Sequence, residues 1–155
     1  QQADAVIRAL RPDDPKGMLP ASGIAYVPSH AVPQAGTVRV RVVLGTQEHH
    51  FAADTVARFL ADAWRVAATS DRIGLRLEGE PLRHHGAAEI LSDGMVPGSI
   101  QVPPDGRPIV MLADGPTTGG YPKIATVLTS DLPLLAQLVP GEGEVRFERI
   151  ALEDL

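Results

Sequence analysis

From Thr37 to Leu44 apolar and polar residues alternate with period two: Val38, Val40, Val42 and Leu44 fall on one face, and Thr37, Arg39 and Arg41 on the other. This is the pattern of a half-buried strand, and Gly45 ends it. The period then changes. Val56, Phe59, Leu60, Ala63 and Trp64 recur at i, i+3, i+4, i+7 and i+8 behind Asp54, which predicts a helix capped by that aspartate with one face in the core. Ile73, Leu75 and Leu77 alternate with Gly74 and Arg76 as a second half-buried strand. Two apolar runs, Ile109 to Ala113 and Ile124 to Leu128, are short, are bounded by breakers and read as buried strands. Ser130 is placed to cap a short helix through Leu134, Leu135 and Leu138, stopped by Pro140-Gly141. Val145 and Phe147 alternate with Glu144, Arg146 and Glu148 in a closing strand. About seven strands and two helices at this spacing predict a mainly β fold, a closed or nearly closed barrel with two short helices.

The stretch from Ser92 to Val127 carries most of the chemistry. It holds three turns: Val96-Pro97-Gly98, Pro103-Pro104-Asp105-Gly106 and Thr117-Thr118-Gly119-Gly120-Tyr121-Pro122. Pro104-Asp105-Gly106 suits a tight turn, because proline presets φ, aspartate bonds its own backbone and glycine accepts positive φ. The third turn offers backbone N–H groups at Gly119, Gly120 and Tyr121, hydroxyls at Thr117 and Thr118, and an ammonium at Lys123. These are the ingredients of an anion or carbonyl site. The loop is not a Walker A motif: Gly115 and Gly120 have its glycine spacing, but Tyr121-Pro122 follows where Lys-Ser/Thr is required.

Composition narrows the setting. The chain has 155 residues, one domain or a domain with an arm, and a formal net charge of −5. With no basic block, one Trp, two Tyr and three Phe, nucleic acid is not an expected partner. There is no cysteine, which excludes disulfides and thiol catalysis and fits a reducing, cytoplasmic setting. No apolar run approaches the roughly 20 residues of a membrane span, and no basic-then-apolar signal opens the chain. Residues 1–36 are rich in Pro, Gly and Ala, and only Ile24 to Val27 is suited to strand pairing, so they are expected to form an arm or linker ahead of a domain at 37–155. His49-His50, His84-His85 and the single His30 are expected to be structural or exposed, since strand neighbours point to opposite faces and no His-x-x-x-His spacing occurs; no metal is expected. Asp71-Arg72 is expected to be an internal ion pair fixing a turn, and Glu142, Glu144, Glu148, Glu153 and Asp154 a solvated face.

The wording GSIQVPPDGRPIVMLAD followed by TTGGYPKIATV, together with Arg41-Val42-Val43-Leu44-Gly45-Thr46-Gln47, His50-Phe51, Trp64-Arg65-Val66 and Ser70-Asp71-Arg72-Ile73-Gly74-Leu75-Arg76-Leu77-Glu78-Gly79, resembles the biotin-dependent carboxyltransferase family. That family is also called allophanate hydrolase subunit 2 and includes the C subunit of 5-oxoprolinase. The resemblance runs from about Val38 to the C-terminus and departs from the family pattern at Thr46, where proline is usual, and at Gly115-Pro116. It implies a cyclophilin-like barrel. A prolyl-isomerase activity is discounted, since fold does not carry function. The Val-Gln-Asp-x-Gly-Arg-x-Gly motif of the family's N-terminal half is missing, so the chain is expected to be the C-terminal half of a longer protein, with that N-terminal half as a partner.

The resemblance further implies a subunit of an ATP-dependent 5-oxoprolinase, converting 5-oxoproline to glutamate with a small partner subunit, allophanate hydrolase subunit 1, and a third subunit. ATP would activate an oxygen of the lactam amide. An alternative is a component that moves a carboxyl group from carboxybiotin to urea; another is a non-enzymatic antagonist of a small histidine-kinase inhibitor protein. On the enzymatic reading Asp105 and Lys123 are the catalytic candidates, the first orienting a substrate amide and the second holding a carboxylate or phosphate-like intermediate. Gln101 would present its amide to the substrate, and Gly106, Thr117, Thr118, Gly119, Gly120 and Tyr121 would bind it, in the manner of an oxyanion site.

Overall fold

Val38, Val40 and Val42 are buried while Thr37, Arg39 and Arg41 are exposed, so the first strand has the two faces its alternation demands. The computed structural model describes residues 36–151; the expectations for the arm at 1–35, for Ile24 to Val27, for His30 and for Glu153 and Asp154 fall outside them. The strands are β1 (Thr37–Leu44), β2 (Trp64–Val66), β3 (Gly74–Glu78), β4 (Asp93–Gly94), β5 (Ser99–Gln101), β6 (Ile109–Met111), β7 (Thr118–Gly119), β8 (Lys123–Val127) and β9 (Glu144–Arg149). The helices are α1 (Ala53–Ala61) and α2 (Leu132–Ala136), with 3-10 turns at Glu48–His50 and Thr129–Asp131.

Seven strands close into a barrel in the order β1-β8-β5-β6-β3-β2-β9, and β4 and β7 form a separate two-stranded ribbon. The ring is sealed by a parallel pairing of β9 with β1, from Thr37 opposite Glu144 to Val42 opposite Arg149; its other strand pairs are antiparallel. The mainly β, barrel-plus-two-helices expectation holds. The barrel interior is packed with apolar side chains, among them Val40, Val42, Leu75, Leu77, Ile100, Val110, Ala125 and Val145, as small barrels require. Phe59 of α1 stacks on Phe147 of β9 with ring centroids 4.6 Å apart. A functional site therefore has to lie on the outer wall or at the rims.

Five local expectations are corrected. The first helix stops at Ala61 because Asp62 turns extended (φ −78°, ψ 156°), so Trp64 opens β2, fully buried, and donates its indole N–H to the Phe59 carbonyl at 3.0 Å. Asp54 is not its cap: Ala52 holds that position, and Asp54 accepts from the next residue's N–H at 2.7 Å. Ser130 is not a cap either, since its hydroxyl bonds Asp131 at 3.1 Å. Ile73 is 50% exposed, just ahead of β3. Asp71 does fix its turn, but by accepting from the N–H groups of Ile73 (2.8 Å) and Gly74 (3.2 Å), while Arg72 pairs with Asp114 at 3.3 Å. Glu142, Glu144 and Glu148 are exposed as expected.

Asp131, at the start of α2, is a polar group in the core's margin that the sequence pattern does not single out. Its carboxylate accepts from the Arg41 backbone N–H (2.8 Å), Nε (3.0 Å) and Nη2 (2.6 Å). This clamp ties α2 to β1.

Candidate functional site

Register across the sheet places Arg76 of β3 opposite Ile109 of β6, and Ile109 opposite Gln101 of β5; the β5–β8 register shifts between Ile100 and Gln101, where Gln101 meets Lys123 of β8. Directly opposed residues share a face. The inner row is Leu75, Val110, Ile100 and Ala125, so Arg76, Ile109 and Gln101 belong to the outer wall. There a polar cleft of about 490 Å³ opens, lined by Gln101, Asp105, Tyr121, Arg76, Arg107 and Glu78 among others, a size suited to a small molecule.

Gln101 is the floor of this cleft. The residue is 9% exposed, and its Oε1 is buried without a hydrogen-bond partner. Buried polar atoms are ordinarily satisfied; this oxygen has no hydrogen-bond partner among the described residues and lies against Gly119. Gly119 fits tightly over it: a Cβ there would lie 3.0 Å from Gln101 Oε1 and 2.6 Å from Met95 Sδ. A side chain at this position would require Met95 and Gln101 to move aside.

The turn before β6 is built as its residues dictate. Gly106 N–H bonds the Pro103 carbonyl at 2.9 Å, Asp105 Oδ1 accepts from Arg107 N–H at 3.1 Å, and Gly106 has φ +74°. The close approach that Gly106 permits is to its own chain, because its carbonyl accepts from Leu82 N–H at 2.8 Å. Both its backbone groups are thus engaged within the fold. It shapes the turn that carries Asp105 into the cleft.

Lys123 is committed elsewhere. Its ammonium donates to Asp93 Oδ2 at 2.6 Å and to the Gly94 carbonyl at 2.9 Å. Gln47 braces the pair, donating to Asp93 at 2.9 Å and accepting from Lys123 N–H at 2.9 Å. The hydrogen bond from Lys123, aided by Gly94 N–H, holds the Asp93 carboxyl below its usual range. The ammonium anchors the ribbon to β8 and is not free for an anion. Thr117 and Thr118 are exposed and line another part of the ribbon, where the Thr117 carbonyl accepts from Met95 N–H. No described residue accepts the N–H of Gly120 or Tyr121.

The structure thus brings together Gln101, Asp105 and Tyr121, with Gly119 against Gln101, and sets Lys123, Thr117, Thr118 and Gly106 apart. Arg76 and Arg107 also line the cleft. Sequence reasoning misses them, because one arginine on an alternating strand and one after a turn both resemble solvated surface. Only register joins them. His49 and His50 lie in a 3-10 turn, and His84 bonds the Val102 carbonyl through Nε2 at 2.9 Å. Among the described residues no three His, Cys, Asp or Glu come together as a metal-ligand set, and no helix is long and apolar enough to cross a membrane. A separate groove of about 720 Å³ beside α2 is mostly apolar, lined by Leu75, Pro97, Leu112, Leu132, Pro133 and Leu138 among others.

The chain belongs to the family of carboxyltransferase domains, subdomains A and B, whose family model matches residues 3–149. It is 38% identical over 116 residues to the C subunit of 5-oxoprolinase from Escherichia coli (strain K12), covering 75% of this chain and 37% of that protein. To the C subunit of 5-oxoprolinase from Haemophilus influenzae it is 36% identical over 132 residues, covering 85% of this chain and 40% of that protein. The chain therefore spans about two fifths of the length of these curated relatives. The crystal structure of Kluyveromyces lactis urea carboxylase shares its fold, with TM-score 0.68 at 24% identity over 75% of this chain and 11% of that one.

Proposed function

We propose that this chain is part of the C subunit of an ATP-dependent 5-oxoprolinase, and that its outer-wall cleft positions the lactam while the ring is opened to glutamate. The observation that carries this reading is the buried, unpartnered amide oxygen of Gln101, a residue that lines the cleft. A primary amide complements a planar N–C=O unit: Oε1 accepts the lactam N–H and Nε2 donates to the lactam carbonyl. Asp105, at the rim, accepts from the nitrogen as it becomes an amine. Tyr121 and the N–H groups of Gly120 and Tyr121 supply donors for charge developing on the carbonyl oxygen.

The Gly119-Gly120-Tyr121-Pro122 turn does not fit the phosphates of a nucleotide. The cation beside Gly119-Gly120 is neutralised by Asp93, and Pro122 has no N–H to give. On this reading ATP is a reactant of the assembled enzyme, in which the chain works with the N-terminal half, a small partner subunit and a third subunit in the cytoplasm. A second reading, carboxyl transfer from carboxybiotin to urea, is favoured by the family's description as carboxyltransferase domains and by urea's own N–C=O unit.

The test uses the full-length subunit reconstituted with its partners, following ATP-dependent glutamate formation from 5-oxoproline, with carboxybiotin and urea in parallel. Gln101→Leu removes the amide while keeping similar bulk. It is expected to lower kcat/KM for 5-oxoproline by about tenfold or more and to leave Tm unchanged or raised, because an orphaned buried oxygen disappears. Full turnover by this variant would sink the assignment of Gln101. Urea carboxylation without glutamate formation would select the second reading, and no turnover in either assay beside tight binding of the small partner would select a binding role.

A further inference from the structure

Arg76 and Arg107 both line the Gln101 cleft, and neither guanidinium has an ion-pair or hydrogen-bond partner among the described residues. Of the two carboxylates that line it, Glu78 is matched by Arg65. Asp105 spends one oxygen on the Arg107 N–H of its own turn. Two uncompensated guanidiniums thus face one uncompensated carboxylate, in a chain whose formal net charge is −5. The local charge opposes the global one where a buried polar side chain also lacks its partner. Arg76 is set on this wall by its pairing with Ile109, next to which Gln101 stands.

We infer that Arg76 and Arg107 form an anion subsite next to the Gln101 amide, so that the cleft takes a small amide bearing a carboxylate in preference to a neutral one such as urea. Guanidinium forks match carboxylate geometry through two parallel N–H···O bonds. A lactam seated on Gln101 and carrying a carboxylate on the ring carbon beside its nitrogen uses both features. Urea has no carboxylate to match the guanidinium forks. This inference rests on reading the cleft as the amide site and deepens it by naming the charge of the substrate.

Isothermal titration of the full-length subunit in its assembly, with 5-oxoproline, 2-pyrrolidinone (the same ring without the carboxylate) and urea, separates the terms. 5-Oxoproline is expected to bind about tenfold or more tighter than 2-pyrrolidinone and to weaken as salt rises. Arg76→Gln and Arg107→Gln should each remove part of that preference and the double variant all of it, with 2-pyrrolidinone binding unchanged. Arg76→Lys should restore part, since it keeps charge but not the fork. Both arginines are exposed, so these variants keep the fold. A preference that survives in the double variant, tighter binding of urea, or no binding of either lactam overturns the inference. An arginine-dependent preference without glutamate formation leaves the subsite standing and removes the proposed activity; glutamate formation indifferent to both arginines does the reverse.

Discussion

Gly106→Ala is expected to destabilise the domain by about 2–5 kcal/mol, combining the left-handed penalty for a non-glycine residue with overpacking. The residue has φ +74°, and a Cβ there would stand 2.5 Å from the Leu82 carbonyl oxygen and 2.9 Å from Leu82 N and Pro81 Cβ. Two of these three neighbours are backbone atoms, which cannot rotate away. Gly86 is the internal control: its φ is +98° but nothing lies within 4 Å of an added methyl, so Gly86→Ala should cost only about 1–2 kcal/mol. Urea denaturation followed by the fluorescence of Trp64, the sole tryptophan and fully buried, measures both. Equal losses at the two positions would show that the Leu82 contact imposes no strain. Because the turn also carries Asp105, the Gly106 variant should lose ligand binding under conditions where it remains folded.

Asp131→Asn should lower stability at neutral pH by about 2–3 kcal/mol, and the loss should shrink as the solution is acidified. The Asp131 side chain is 9% exposed and receives three hydrogen bonds from Arg41 and one from Ser130. The bonds from the Arg41 guanidinium hold its carboxyl below the usual range; burial opposes them, and Arg41 N–H and the Ser130 hydroxyl add to the lowering. A carboxyl whose folded value is depressed contributes its full stabilisation above the unfolded value, about 3.9. That stabilisation is lost as pH falls through the lower folded value. Wild type and variant should therefore differ most above about pH 5, and the gap should close as the pH falls below the unfolded value and through the lower folded one. Asp93 is shifted in the same direction, but it is present in both proteins and cancels in the comparison. A gap that stays constant from pH 7 to pH 2 would mean that the clamp's contribution does not depend on the charge of Asp131.

Periodicity suffices for β1 and β9, because each has one face in the core and one in water, and alternation records that; in β3 it holds only from Leu75 to Leu77, since Gly74 is buried and Ile73 exposed. It misassigns Trp64, since helical spacing continues by coincidence through Ala63 after Asp62 has already left the helix. The turn at Asp105-Gly106 is legible because its chemistry is local, each requirement being met within four residues. Gln101 stands out as a polar residue among apolar ones, but nothing in its neighbours shows that it is buried and unpartnered. Arg76 and Arg107, like Arg41 and Asp131, acquire meaning only through partners on other strands or helices. No single strand contains that information. The same limit explains Lys123, whose neighbours in sequence suggest an anion site while Asp93, 30 residues earlier, takes its charge.

The seam of the barrel has a kinetic meaning. Thr37 and Glu144, which begin the β1–β9 pairing, are 107 residues apart in sequence, so this pairing closes a loop that contains every other strand of the ring. Loop closure on that scale makes formation slow for a domain of this size. Once sealed, the barrel has no free strand from which to fray. Hydrogen exchange of the amides along β1 and β9 is then expected to require opening of the ring, which makes the seam a gauge of the stability of the whole barrel.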